Sequence, residues 1–257
     1  MGQIHLRGMA RVALFLALAA TLVAADAECS EAQAEGPREA QAPGQWERHY
    51  HQRAALFEKE NAAAKNIVMV GSSHIEGLDA NKLLPGRRVV NRGIAADRIG
   101  ITERGILHRL KSSIFDCNPG FVILENGVND LGELWRHGTP TIDETEACYR
   151  EVVQRIRTRL PDVPLLIVGL FPTRDRYAEL NPMIVEFNRR LVRIAADFDC
   201  PFLDVYAPFA DADGLLRQEY SREGLHLTVA GYRHWAKLIA AVLSRYDSPS
   251  PPQPAPG

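Results

Sequence analysis

Ser73 follows Gly71-Ser72 at the end of the apolar run Ile67-Val68-Met69-Val70. A hydroxyl just past a buried strand sits where open α/β sheets place their chemistry, at the carboxyl edge. Serine is a poor nucleophile at its own pKa and needs a base. His226, far down the chain in Glu223-Gly224-Leu225-His226, is suited to that role. Glu223 offers a carboxylate that can reach back to orient the imidazole and stabilise its charged form. What remains is a set of N–H donors for the charge that builds on a carbonyl oxygen. Asn129 in Gly127-Val128-Asn129-Asp130 can supply one, and the backbone N–H groups of Ser73 and of Gly93 in Asn91-Arg92-Gly93 two more. Gly93 qualifies because a residue without Cβ lets backbone approach a ligand closely. Nucleophile, base, carboxylate and oxyanion donors are the parts of an acyl-transfer site.

The elements around these residues alternate. Residues 46–64 read as a leading helix, 67–70 as a strand, 89–91 as a shorter strand and 101–110 as a helix. Phe121-Val122-Ile123-Leu124 is a third strand, continuously apolar as buried parallel strands are. Thr141 and Glu144 form a capping-box pattern before a helix whose stripe is Cys148, Val152, Ile156 and Leu160. A strand at 165–168, a helix carrying Ile184, Phe187, Leu191 and Ile194, a strand at 202–205 and a last helix carrying Tyr232, Trp235, Ile239 and Val242 complete the series. Such alternation predicts a five-stranded parallel sheet between helix layers, an α/β sandwich. Right-handed crossovers bring the polar strand ends to one edge. The loops after the strands, with His74 beside the serine, Trp135, Arg136 and His137, and Arg174, Arg176 and Tyr177, are expected to frame a substrate pocket.

The chain has 257 residues, 46% of them hydrophobic, enough for one buried core. With Lys+Arg 30 against Asp+Glu 32 there is no basic excess to suggest nucleic acid. Arg7 and Arg11 precede an apolar stretch at 12–24 and an A-x-A site at Ala25-Asp26-Ala27, a signal-peptide pattern that is too short to span a bilayer. The expected organisation is a signal peptide at 1–27, a linker at 28–45, a hydrolase domain at 46–246 and a disordered proline-rich tail at 247–257. The mature protein is then periplasmic or secreted, with no integral membrane span. Cys29, Cys117, Cys148 and Cys200 survive cleavage and could form disulfides there, and their pairing is left open. No C-x-x-C or Cys/His spacing suggests a metal, and no cofactor is implied.

Taken together, the fragments resemble the SGNH (GDSL-type) hydrolase superfamily, close to its platelet-activating-factor-acetylhydrolase-like and carbohydrate-esterase branches. Gly71-Ser72-Ser73-His74-Ile75-Glu76-Gly77 stands where the family has G-D-S-x-T-E-G. Asn91-Arg92-Gly93-Ile94 matches the second block, Gly127-Val128-Asn129-Asp130 the third (G-x-N-D), and Glu223-Gly224-Leu225-His226-Leu227 the last (D-G-x-H-L). The resemblance spans about residues 65–245. It implies a flavodoxin-like three-layer fold, Ser73 as nucleophile, His226 as base and an oxyanion hole of Ser73, Gly93 and Asn129. Two residues depart from the pattern: Ser72 replaces an aspartate outside the triad, and Glu223 replaces the triad aspartate with one more methylene.

The expected activity is that of an exported serine esterase that works through an acyl-enzyme, on a small-molecule or glycan ester. The resemblance and the setting favour a short acyl group, such as acetyl, on a carbohydrate. A lysophospholipase or thioesterase for longer chains is the enzymatic alternative. A non-catalytic carbohydrate-binding module on the same scaffold is the rival from another class. A flavodoxin-like nucleotide binder lacks the glycine-rich phosphate loop it would need.

Overall fold

The computed structural model describes residues 44–60, 66–102 and 104–247. The expected signal segment, most of the linker, Cys29 and the tail beyond Asp247 lie outside the described residues. In chain order the elements are α1 (Gln45–Lys59), β1 (Asn66–Gly71), α2 (Ser73–Glu76), α3 (Ala80–Leu83), β2 (Val89–Gly93), α4 (Leu110–Ser113) and β3 (Pro119–Glu125). They continue with α5 (Val128–His137), α6 (Ile142–Arg159), β4 (Leu165–Val168), α7 (Asn181–Asp197), β5 (Phe202–Leu203), α8 (Tyr206–Phe209) and α9 (Val229–Asp247).

The five strands form one sheet in the order β2-β1-β3-β4-β5, every pair parallel. β1 is buried along its whole length, which is why it reads as an unbroken apolar run. Its residues alternate between two cores. Val68 and Val70, with Val122, Leu124, Leu165 and Ile167, pack beneath Tyr149, Val152 and Ile156 of α6 and Ile184, Phe187 and Leu191 of α7. Ile67 and Met69, with Phe121, Ile123, Leu166 and Val168, face Trp235, Ile239 and Leu243 of α9. The sheet therefore lies between two helix layers. In this strand order the direction of winding reverses between β1 and β3, and the carboxyl ends at that point form the ligand crevice of such sheets.

Local chemistry explains most boundaries. α6 starts on the expected capping box: Thr141 Oγ1 accepts the Glu144 N–H and Glu144 accepts the Thr141 N–H. β5 is shorter than expected because the Asp204 carboxylate accepts the Tyr206 N–H at 2.8 Å and turns the chain into α8. The helix expected over 101–110 is a correction. Bends at 101–102 and 104–105 lead into a 3-10 turn at Ile106–Arg109 and then α4. Gly105, at φ +134°, lies so close to Gly100 that a Cβ would meet its Cα at 2.5 Å, so the chain doubles back where a helix would run straight. Ile106, Leu110 and Ile114 are nevertheless in the core, while Ile101, the expected start, is exposed.

Cys117, Cys148 and Cys200 are free thiols, each with its pKa raised by burial. Among the described residues no helix is long and apolar enough to cross a membrane.

Candidate active site

β1 ends on Gly71, where a Cβ would fall 2.1 Å from the Glu125 carbonyl oxygen of the neighbouring strand. Glycine there lets the chain turn at once, so that Ser73 opens α2 at the sheet edge, half-buried. Its N–H belongs to a helical first turn and has no intrahelical acceptor. Ser73, Asn129 and His226, far apart in sequence, line one cleft of about 320 Å³.

Glu223 accepts from His226 at 2.9 Å through Nδ1, and the same oxygen accepts the His226 backbone N–H. The longer carboxylate thus reaches the ring without a change of loop length. With Nδ1 engaged, Nε2 is the nitrogen left for proton transfer. Ser73 and His226 line the cleft without a hydrogen bond between Ser73 Oγ and the imidazole, a contact that in such sites often tightens only in the complex with substrate. The acid–base loop is closed on itself. Ser221 Oγ donates to the His226 carbonyl at 2.8 Å and accepts the Gly224 N–H at 2.9 Å, and Ser221 bridges Leu227.

The oxyanion side needs one correction. Gly93 does not line the cleft, and its N–H is spent on Asn91 Oδ1 at 2.9 Å. Its missing Cβ serves packing instead, since a Cβ would meet the Glu76 backbone N at 2.1 Å. From the chain just after β2, Ala95, Ala96 and Arg98 line the cleft. The Ala95 N–H is taken by Glu76 Oε2. Ala96 is left-handed, φ 60°, a costly conformation for alanine, and its N–H makes no backbone hydrogen bond. Nothing in the sequence marks a left-handed alanine, so Ala96 escaped notice there. Asn129 Nδ2 donates one hydrogen to the Asp97 carbonyl at 2.9 Å and, as an amide, has a second to offer. Asp130 accepts the Ile99 N–H from this same loop. Burial raises its carboxyl from 3.8 to about 7.

The expected pocket residues fare unequally. His74 is buried at 1% exposure and lines no wall. Its Nδ1 faces Glu125 Oε1 at 3.3 Å and its Nε2 faces the Leu225 carbonyl at 3.1 Å. Both ring nitrogens meet acceptors, so Nε2 carries a hydrogen and a proton sits between Nδ1 and Oε1. Burial alone would lower the His74 pKa. The Glu125 charge and hydrogen bond, with the Leu225 carbonyl, outweigh it and the net shift is upward. Arg174 is also structural: its N–H donates to the Gly224 carbonyl at 2.9 Å and its Nη1 to Leu216 O at 2.6 Å. His137 is exposed on the last turn of α5, outside the cleft lining. Trp135 does line a slot that continues the cleft, with Val128, Tyr177, Leu180 and Leu225, and its Nε1 donates to Glu179.

Beneath the site Arg109 is buried against Asp97, with Nη2–Oδ2 at 2.6 Å and Nε–Oδ2 at 2.9 Å. The same guanidinium donates to the carbonyls of Gly71 and Arg92, tying the ends of β1 and β2 to the loop that carries Ala96.

Known proteins resemble this chain in sequence and in shape. The model of the GDSL-like lipase/acylhydrolase family matches residues 74–234. The platelet-activating factor acetylhydrolase IB subunit alpha2 of Rattus norvegicus is 24% identical over 192 residues, 72% of this chain and 79% of that protein. A GDSL-like lipase from Bacteroides thetaiotaomicron superposes with a TM-score of 0.64 at 20% identity, covering 79% of this chain and 98% of the other. Axe2, an acetylxylan esterase from Geobacillus stearothermophilus, gives a TM-score of 0.56 at 17% identity, with 70% and 94% covered. At such identities the structural likeness is one of fold.

Proposed function

The chain belongs to the GDSL-like lipase/acylhydrolase family, and from that premise we propose that it is an exported serine esterase that removes short acyl groups, acetyl above all, from a carbohydrate. The observation that carries the catalytic assignment is the single cleft shared by Ser73, Ala96, Asn129 and His226, with Glu223 on the far side of the imidazole. Ser73 Oγ attacks the ester carbonyl carbon while His226 Nε2 takes its proton. The N–H groups of Ser73 and Ala96 and the second hydrogen of Asn129 Nδ2 receive the oxyanion, Ala96 in place of Gly93. Collapse of the tetrahedral intermediate expels the alcohol, which leaves with the proton from His226. Water then attacks the acyl-enzyme with the same base, and the acid departs as Ser73 is restored.

The short-acyl assignment draws support from the acetylxylan esterase among the structural neighbours. One observation favours the longer-chain alternative: beside its arginines, the slot presents the apolar side chains of Val128, Leu180 and Leu225, against which an acyl tail would pack. A series of p-nitrophenyl esters from acetyl to palmitoyl, with acetylated sugars alongside, decides between them. The expected result is kcat/KM highest at acetyl, and a maximum at long chains would overturn it. Fluorophosphonate labelling is expected to mark Ser73. A protein labelled at Ser72, or not at all, would refute the assignment and revive the non-catalytic reading. Export draws support from the basic, then apolar, then A-x-A pattern of the first 27 residues. Mass spectrometry of exported material that found Met1 intact would contradict it.

A further inference from the structure

We propose that the ester taken by this cleft carries an anionic group, a carboxylate or a phosphate, close to the scissile bond, held by the guanidinium groups of Arg98, Arg104 and Arg136. The inference rests on the esterase reading and narrows its substrate class.

Across the whole chain acidic residues slightly outnumber basic ones, for a net charge of -2. The cleft reverses that balance. Among the described residues its wall holds Arg98, Arg104 and Arg136 but one carboxylate, Glu133. That carboxylate is already shared, 3.6 Å from Arg98 Nη1 and 3.4 Å from Arg136 Nη1. One charge cannot neutralise three, and Arg104 has no ion pair with any described residue. The adjoining slot adds Arg176, held over the Tyr177 ring at 4.7 Å with its Nη2 on the tyrosine hydroxyl, and its lining has no carboxylate.

The residue type matters as much as the sign. Neither lining contains lysine. The planar guanidinium fork matches carboxylate and phosphate oxygens two at a time, and it is less strongly hydrated than an ammonium. A concave wall of one sign also focuses its field into the cleft and raises the local concentration of opposite charge. A neutral acetylated sugar would leave these arginines without a counter-charge. An ester with its own anion beside the scissile bond would supply one where His226 and Ser73 act.

The test compares three acetyl esters of phenols on the full chain: methyl 4-acetoxybenzoate, 4-acetoxybenzoate and 4-acetoxyphenyl phosphate. They share the acyl group and differ in the charge on the leaving group. Each kcat/KM is divided by the spontaneous rate of hydroxide hydrolysis. At low ionic strength at least one charged ester is expected to exceed the neutral one by ~10-fold or more, an advantage that shrinks as salt screens the cleft. The better of the two charged esters tells carboxylate from phosphate. Arg104→Ala and Arg98→Ala are each expected to cut the charged-to-neutral ratio by ~3-fold or more. Arg155→Ala, the same charge change on the exposed face of α6, is expected to leave the ratio alone. Turnover of the neutral ester with no preference for charge, or a ratio that falls equally in Arg155→Ala, would overturn the inference and spare the esterase reading. No turnover of any of the three would instead overturn the reading on which it rests.

Discussion

Glu223→Gln keeps size and shape but exchanges a carboxylate oxygen for an amide at the 2.9 Å contact with His226 Nδ1. The amide cannot stabilise a developing imidazolium, so kcat is expected to fall by ~10²-fold or more with KM nearly unchanged. Steady-state kinetics check this, and near-normal turnover would leave a Ser73–His226 dyad. His74 calls for a different experiment, because it sits behind the cleft and positions the Leu225 carbonyl, one residue before His226. His74→Leu is expected to lower kcat by ~10-fold or more through a displaced base. His74→Gln, which can still donate to that carbonyl, should recover part of the loss. Equal losses in two folded variants would show that the hydrogen bond is not what matters. At this scale the sequence was most legible where side chains do the work. Ser73, Asn129 and His226, chosen for their types and spacing, line one cleft. It was least legible for backbone groups, because whether an N–H is free depends on its neighbours. Gly93, the last residue of β2, spends its own on Asn91, while Ala96, three residues on, makes no backbone hydrogen bond with its own.

Among the elements, the strands and long helices were plain from periodicity, since each buries a face that must be apolar. The segment 101–110 was not, because its apolar spacing fits a helix while Gly100 and Gly105 fold it back. What holds this region is the buried Arg109–Asp97 pair, which no local pattern in the sequence announces. Arg109→Met would remove the guanidinium from the Gly71 and Arg92 carbonyls and leave the Asp97 carboxylate buried without its partner. A loss of about 3–5 kcal/mol is expected for half of a buried ion pair. Urea unfolding checks it, and a change under about 1 kcal/mol would mean that water replaces the guanidinium.

The dependence of the whole molecule on pH follows from groups whose titration the folded environment shifts. In the folded chain Asp130 titrates at about 7, against an ordinary value of 3.8. Between those values the folded state holds a proton that the unfolded chain has released, so stability falls as pH rises through the window. His74, raised above 6.5, acts in the same direction: its contribution is complete below 6.5 and is lost as pH climbs past the folded value. Glu144, lowered from 4.5 by its capping bonds to Thr141, acts oppositely and loses its contribution as the solution becomes strongly acidic. The melting temperature is therefore expected to be higher near pH ~5 than near pH ~8, and Asp130→Asn should flatten the slope between ~5 and ~7. Calorimetry across that range checks both, and a rising slope would contradict them.

The strap at 221–227 has a consequence for how the enzyme fails. In the proposed site Ser73 and Asn129 follow the interior strands β1 and β3 and Ala96 follows the edge strand β2, whereas Glu223 and His226 travel together on one self-bonded loop. Its hydrogen bonds to the rest run through Gly224 to the Arg174 backbone and through Leu225 to His74, and Leu225 and Leu227 pack against the two cores. The proposed site is thus divided between the strand ends and this strap, and the strap is expected to open at lower free energy than the sheet. Heating or mild denaturant should then silence hydrolysis while the sheet is still intact, with amide exchange quickening at 221–227 before it does in β1 or β3. The silence should also be reversible on cooling, since the strap returns as one piece, with Glu223 and His226 still engaged.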